Sequence, residues 1–445
     1  MKKLVGIIAV LVALLLIVPF LIPTETYLRQ IERVASEKLN QPVSIKTLHF
    51  ALLPSPRANI GDLRIGKNDE VRVGNVAAIA ELGSLFSETR VITVIEASDP
   101  VIQKGALDFV AALPKTEASS VPAKVLIRRL RLNKLQLMWP GIDIPVLNVE
   151  ATLTQGNLLQ TLKLASSDGH LRADLTPQGE GYSIKIDATQ WTFPVGPKVL
   201  FNRLKSEMTL HGSKLHVASL EGGLYQGALD ANADLDWSKG LHGTGKFNVN
   251  NIAIAELEQL FNKQKLVSGR LNANGTFGVN TKEASTAADH LVLDSIFNVT
   301  NGVLHGVDLA KAATLLLKTG VKGGETDFDE LSGALHMSGK QIELKNLQIS
   351  SGLLAASGGV KVSPARQLDG VIDVKLKKGV ILVAIPLRVS GTLDAPMVFP
   401  TKAALAGAAL GTGVLGPGVG TSVGLKAAAG VEKLKGLFGG DKNQR

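Results

Sequence analysis

The sequence contains no cysteine. That absence removes disulfides, thiolate metal sites, cysteine nucleophiles and lipoprotein acylation together, and it leaves the redox compartment open. Aromatic residues are scarce at 4%, although 45% of residues are hydrophobic and 46 are glycine. Cores built from this chain must therefore use small aliphatic side chains. The eight histidines are scattered. Only His211 and His216 come close, and five residues apart on a strand they would face opposite ways, which is poor metal geometry. A chain of 445 residues with this apolar content is not intrinsically disordered and has room for two or three domains.

Catalytic patterns are present only as spellings. Gly420-Thr421-Ser422-Val423-Gly424 matches a nucleophile elbow, but no histidine follows His336, as that hydrolase order requires. Gly411-Thr412-Gly413-Val414-Leu415-Gly416 spells a dinucleotide fingerprint without a strand-to-helix setting, and Gly240 to Lys246 imitates a phosphate loop in which Phe247 replaces the magnesium-binding hydroxyl. The carboxylate pairs Asp234 with Asp236 and Asp327 with Asp329 lack a base or second ligand cluster; the latter pair reads as turn and cap residues. The expectation is a protein without catalytic, cofactor or metal residues.

The formal charge is +9. Residues 1–23 hold two basic groups and no acids, and residues 401–445 hold six basic and two acidic groups, so the body between them carries only +3. Such a body is no nucleic-acid binder, whereas positive ends suit anionic lipid surfaces.

Lys2 and Lys3 precede nineteen residues, Leu4 to Ile22, without a charged or strongly polar side chain. This length spans a bilayer core, and bulky Phe20, Leu21 and Ile22 stand where a cleavage site would need small residues. Leu4, Ile7, Ile8, Leu11, Leu14, Leu15, Ile17 and Phe20 are the expected lipid-facing anchor, with the N-terminus cytoplasmic and the body on the far side. Beyond it Tyr27, Leu28, Ile31, Val34, Ala35 and Leu39 recur at helical spacing, predicting an amphipathic helix on the membrane face or on the first sheet.

From about Val43 to Pro400 the dominant period is two. Tyr182, Ile184, Ile186 and Ala188 alternate with polar residues, as do Ile342 with Leu344, and Ile372, Val374 and Leu376. Such strands are apolar on one face and wet on the other. Ser167-Asp168-Gly169, Asn274-Gly275 and Ser357-Gly358-Gly359 read as hairpin turns. Two further segments look helical, around Ile254 to Phe261 and Val307 to Leu317. Two short helices cannot cover so many strands. Either two sheets close as a β-sandwich, or an elongated, curved antiparallel sheet keeps an open apolar groove. An apolar-Ser-Gly-x-Leu phrase recurs at Val267, Leu331 and Val389, spaced 64 and 58 residues apart, and reads as a turn feeding a strand.

The stretch from Phe297 to Pro400 resembles the C-terminal region of the AsmA family of bacterial envelope proteins. It carries Asn301-Gly302-Val303-Leu304, Ile342-Glu343-Leu344-Lys345-Asn346-Leu347, and Ile385-Pro386-Leu387-Arg388-Val389-Ser390-Gly391-Thr392-Leu393-Asp394-Ala395-Pro396. Its most specific phrase is Thr326-Asp327-Phe328-Asp329-Glu330-Leu331-Ser332-Gly333. The N-terminus is similar too, with an anchor, a helix, Leu48-His49-Phe50 and Pro54-Ser55-Pro56, but it departs at Asn40-Gln41-Pro42-Val43, where the family usually has a glycine and a basic residue. Residues 100 to 290 are similar in texture.

The resemblance implies an inner-membrane-anchored, periplasm-facing protein of elongated β-sheet, similar to bridge-like lipid-transfer proteins with a chorein-like N-terminus. It also implies links to outer-membrane lipid homeostasis and protein assembly. The expected partners are phospholipid acyl chains, the inner membrane, and outer-membrane or envelope proteins. Ile184, Ile186, Ile342, Leu344, Ile372, Val374 and Leu376 are the candidate groove lining, since burial of acyl chains gains about 0.8 kcal/mol per CH2. The expected organisation is an anchor (1–23), an amphipathic helix (24–42), a β-rich region (43–290), an AsmA-like β region (291–400) and a tail (401–445). In that tail Ala403 to Leu425 lacks charge and holds seven glycines. It is read first as a membrane-dipping hairpin, followed by a basic amphipathic helix.

Overall fold

The computed structural model describes residues 24–106, 125–194, 197–260, 265–315, 320–377 and 384–415. The expected anchor and most of the tail lie outside them. Among the described residues the chain is mainly β, with twenty-four strands and few helices. No helix among them is long and apolar enough to cross a membrane. The chain divides into two compact units, one running to Lys198 and including Arg203–His211, the other comprising Val199–Asn202 and the chain from Gly212. The boundary drawn at 290 thus falls inside the second unit.

The first unit opens with α1 (Thr24–Leu39), which packs on β1 (Val43–Ala51). Leu28, Ile31, Ala35 and Leu39 are half-buried, whereas Tyr27 and Val34 stay exposed. Two polar residues on α1 bind the strand: the Ile45 N–H donates to Glu32 at 2.8 Å and the Val43 N–H to Ser36 Oγ at 3.0 Å. β2 (Arg57–Ile65), β3 (Val71–Ala80) and β4 (Arg90–Ser98) follow as an antiparallel meander from β1. The ladder then changes sense. β5 (Val101–Gln103), β6 (Val125–Ile127) and β7 (Arg129–Met138) pair in parallel as β4–β6, β4–β7 and β5–β7. The sheet, expected to be mostly antiparallel, is so apart from these three pairings, whose strands are not joined by tight hairpins. β8 (Leu147–Leu153), β9 (Leu159–Ser166), β10 (Leu171–Gln178) and β11 (Gly181–Thr192) resume the meander. Ser167-Asp168-Gly169 forms the predicted turn there, with Gly169 at φ +80°.

β12 (Leu200–His211) is divided between the units, most of it in the first, and the second unit runs through β13 (Lys214–Leu224), β14 (Gly227–Asp236) and β15 (Leu241–Ala253). α2 (Ile254–Glu258) leads to β16 (Val267–Thr281) and β17 (Leu291–His305). After α3 (Leu309–Leu315) and β18 (Val321–Lys322), a second run comprises β19 (Glu325–Ser338), β20 (Gln341–Ser350), β21 (Leu354–Val362), β22 (Leu368–Leu376), β23 (Ile385–Thr392) and β24 (Ala395–Pro400). Each strand from β13 to β17 pairs antiparallel with the next, β17 pairs with β19, and pairing runs on to β24. β24 then returns to pair with β18, so this end of the sheet closes on itself.

Helix α3 fills the closed end. Leu309, Ala312 and Ala313 are fully buried with Val374, Ile385, Leu387 and Val398. Asp308 caps it by accepting the Lys311 N–H at 2.8 Å, and the Thr326 hydroxyl accepts the Leu309 N–H at 3.0 Å while donating to the Val307 carbonyl at 2.8 Å. Thr326 is thus the clamp that fixes this helix to β19. Asp327 and Asp329, expected in a turn and cap, lie instead on the exposed face of β19, because Thr326, Phe328 and Leu331 take the buried face. The tail also begins differently from its expected membrane hairpin. Lys402–Leu415 forms α4, and Ala404 is buried in the same core, since small alanines let the helix approach closely.

Several glycine phrases read as turns lie inside strands. Asn274-Gly275 is within β16 and Ser357-Gly358-Gly359 within β21. A side chain at Gly275 would strike the Asp294 carbonyl, so glycine there serves strand approach. In the Ser-Gly phrases, Gly269 and Gly333 face bulges on the neighbouring strand. The bulges have their own signature. Lys134, Asn251, Asn301 and Asn346 adopt φ of 56°, 54°, 51° and 50°, each where one strand gains a residue over its partner. The conformation is left-handed, which asparagine tolerates and β-branched residues do not. Leu132-Asn133-Lys134-Leu135-Gln136-Leu137 and Leu344-Lys345-Asn346-Leu347-Gln348-Ile349 are near copies of one phrase that sequence reading passed over.

The polar face is laced by ion pairs across strands. Glu343 accepts from Lys345 at 3.1 Å and Lys361 at 3.2 Å, which holds its carboxyl below the usual range. A depressed folded-state pKa contributes stability above the unfolded value of 4.5 and loses it as pH falls through the folded one. In urea unfolding across pH, Glu343→Gln is expected to be less stable than the native chain at neutral pH, with the difference vanishing in acid. Asn346→Val is expected to cost about 1–2 kcal/mol through its left-handed backbone, whereas Asn346→Gly is tolerated. Chemical denaturation of the two variants checks this.

Candidate functional site

The pleat sends alternate side chains to opposite faces, and register decides which of them meet. In the first unit one row runs Leu130, Ala151, Leu162, Leu175, Ile184, and the next runs Leu132, Val149, Leu164, Ala173, Ile186. Ile184 and Ile186 therefore stand at the ends of two aliphatic rows, each crossing β7 to β11. All but Ala151 are only half-buried. The opposite face is charged. A depression there is lined by Glu96, Arg131, Glu150, Lys163, Arg172 and Asp174, where an acyl chain would desolvate ions rather than gain burial.

The second unit carries the same arrangement at greater width. Ala233, Gly245, Phe277, Leu293, Met337, Ile342 and Val362 form one row across seven strands; Ala231, Phe247, Gly275, Ser295, Leu335, Leu344 and Val360 form another. From β14 to β20 these residues are half-buried. Large and small alternate, so that rings lie across glycines. A Cβ on Gly245 would collide with the Phe277 ring, and one on Gly302 with Phe328. The few aromatic side chains thus fill glycine gaps and level the face.

The bulges mark where this face changes character. On one side of Asn251 and Asn346 lie the half-buried rows. On the other lies Ile252, Leu271, Val299, Leu331, Ile349, Ala356, Val374, Ile385, continuous in register and almost wholly buried. Two of the expected groove residues belong to that closed core. Val374 is 0% and Ile372 6% exposed, because α3 packs on β22 and Val398 of β24 joins the same cluster, and Leu376 packs against that cluster too. Ile184, Ile186, Ile342 and Leu344 remain on the half-buried rows.

One polar cluster has chemical potential that the sequence did not disclose. The Ser268 hydroxyl lies 3.1 Å from His305 Nε2, and His305 Nδ1 lies 2.9 Å from Glu325. Glu258 nearby accepts the Leu266 N–H at 2.9 Å and the Val267 N–H at 3.2 Å; burial nevertheless pushes its carboxyl upward. The order serine, imidazole, carboxylate is that of a nucleophile relay. Here, however, Ser268 sits within a ladder, opposite Val303, rather than at an exposed elbow. The residues join the ends of β16, β17 and β19, far apart in sequence, and no local spacing could have revealed them. His211 and His216 fall on separate strands, β12 and β13, and His216 pairs with Asp234 at 2.7 Å. Among the described residues no group of three potential metal ligands converges.

No curated protein and no solved structure matches the chain. The family model of the AsmA family matches residues 102–347. This range takes in the middle strands, similar to the family only in texture on reading, together with the Thr326 to Gly333 phrase, and it ends before Ile385 to Pro396. More than half the sequence is thereby covered, and the chain belongs to the AsmA family.

Proposed function

We infer that the protein acts in the cell envelope, a reading that its family membership supports. We propose that the protein is a noncatalytic, inner-membrane-anchored carrier that moves phospholipid between inner and outer membrane, holding acyl chains on the half-buried apolar face. The observation that carries this reading is the register of that face: consecutive strands align mainly apolar residues in rows, aliphatic in the first unit and interrupted by Ser295 in the second, opposite a face of cross-strand ion pairs. Acyl chains laid along such rows gain about 0.8 kcal/mol per methylene removed from water. Head groups would remain in solvent. The polar face offers no comparable gain, and its charges of both signs favour water over lipid.

The protein purified from membranes is expected to carry phospholipid detectable by native mass spectrometry and by extraction. Ile186→Asp in the first unit, or Ala233→Asp in the second, places a charge on a half-buried row and is expected to deplete that lipid while leaving circular dichroism and elution unchanged. A lipid-free protein whose charged variants still support envelope integrity would instead point to a scaffold for outer-membrane protein assembly. Val374 is unsuited to this test, since a charge there would unfold the closed core.

The Ser268 relay acts in this reading as a clip between strand ends. The full chain is expected not to react with a fluorophosphonate probe. Labelling that disappears in Ser268→Ala would overturn the noncatalytic reading and favour an envelope hydrolase.

A further inference from the structure

One edge of the first unit gathers turns that lead back to the N-terminal segment. Register places four features side by side there: the turn 52–56 after β1, the loop 81–89 between β3 and β4, the start of β6, and the turn 154–158 between β8 and β9. Ala51 pairs with Arg57, Arg57 with Ile79, Ala80 with Ile92, Ile92 with Ile127, and Arg129 with Thr152. The turn 154–158 is tied to β6 directly, for Asn157 donates to the Val125 carbonyl and accepts the Ile127 N–H, both at 2.8 Å.

Every one of these features exposes a large apolar side chain. Phe86 is 92% and Leu82 60% exposed at the tip of the 3-10 turn, and Leu53, Val125 and Leu158 are exposed beside it. The tips 52–56 and 82–87 contain no charged residue. The nearest ion pair, Arg128 with Glu81 at 2.9 Å, stands at the base of the loop. Such a cluster in water is unfavourable unless something covers it.

The chain itself indicates what covers it. α1 runs antiparallel to β1, and Tyr27 in its first turn meets Phe50 at the end of β1 with ring centroids 6.3 Å apart. Thr24 is therefore at this same edge, and the nineteen apolar residues Leu4 to Ile22 lead directly into it. A bilayer that holds those residues begins, along the chain, one residue before Thr24.

We propose that this edge is a membrane-contacting rim: the tips around Leu53, Leu82 and Phe86 insert into the headgroup–acyl boundary of the phospholipid bilayer that receives Leu4 to Ile22. The inference rests on the anchor reading of that segment but not on lipid carriage by the sheet. The rim would fix the first unit upright on the membrane at several points rather than by one tether.

The absence of native cysteine makes the test direct. Phe86→Cys and Leu82→Cys, with Asn68→Cys in the β2–β3 turn at the opposite edge as control, are labelled with an environment-sensitive fluorophore in the full chain. The protein is then reconstituted in vesicles of phosphatidylethanolamine and phosphatidylglycerol, with or without nitroxide-labelled acyl chains. The expected result is blue-shifted emission at 82 and 86, quenched several-fold more by the nitroxide lipids than emission at 68. Equal quenching at all three sites overturns the proposal while flotation with the vesicles leaves the anchor intact. Protection that grows with protein concentration and ignores the nitroxide also overturns it, assigning the edge to a second copy of the chain. Failure to float overturns anchor and rim together.

Discussion

The alternation of the pleat is the constraint on which the rest depends. A strand in a long meander has two faces, and each must be reconciled with water or with protein. This chain gives one face to ion pairs such as Lys185 with Glu207 at 2.8 Å and Arg131 with Glu150 at 3.3 Å. Their net worth in stability is small. Their consequence is directional, because they leave only one face able to gather apolar material. With few helices available as covers, apolar residues are buried where α1 and α3 pack on the strands and half-buried along the rows of β14 to β20.

The transition between those two states is organised by backbone conformation. The left-handed bulges at Asn251 and Asn346 each add a residue to one strand, and on their far side an apolar row continues in register into the buried core. The chain can thus keep continuous hydrophobic rows while changing what lies above them. Glycine and phenylalanine complete the arrangement from the other direction. A composition with many glycines and few aromatics reads as sparse, yet rings set across Gly245 and Gly302 make the face level with little bulk.

The β architecture was readable because period two is a local property, and Ile184, Ile186, Ile342 and Leu344 fall where alternation places them. The burial of Ile372 and Val374 was not readable in the same way. Their strand alternates as cleanly as that of Ile184, and what distinguishes them is the packing of α3 on β22. Parallel pairing of β4 with β7 likewise depends on a connection, not on a pattern. Asn274-Gly275 misled because the same dipeptide suits a turn and a crowded strand interior. The Asn346 phrase was legible in principle, since its near copy at Lys134 keeps both leucines and the glutamine and exchanges isoleucine for leucine, whereas two of the Ser-Gly phrases hold the residues that face the bulges.

The contact between α1 and β1 has a further consequence. The first strand of a sheet presents unpaired amide groups, and another chain's strand can add to it. Glu32 and Ser36 occupy the Ile45 and Val43 N–H groups of β1, so an incoming strand would have to displace side chains already bonded there. A long, apolar meander is thereby kept from polymerising at its own beginning.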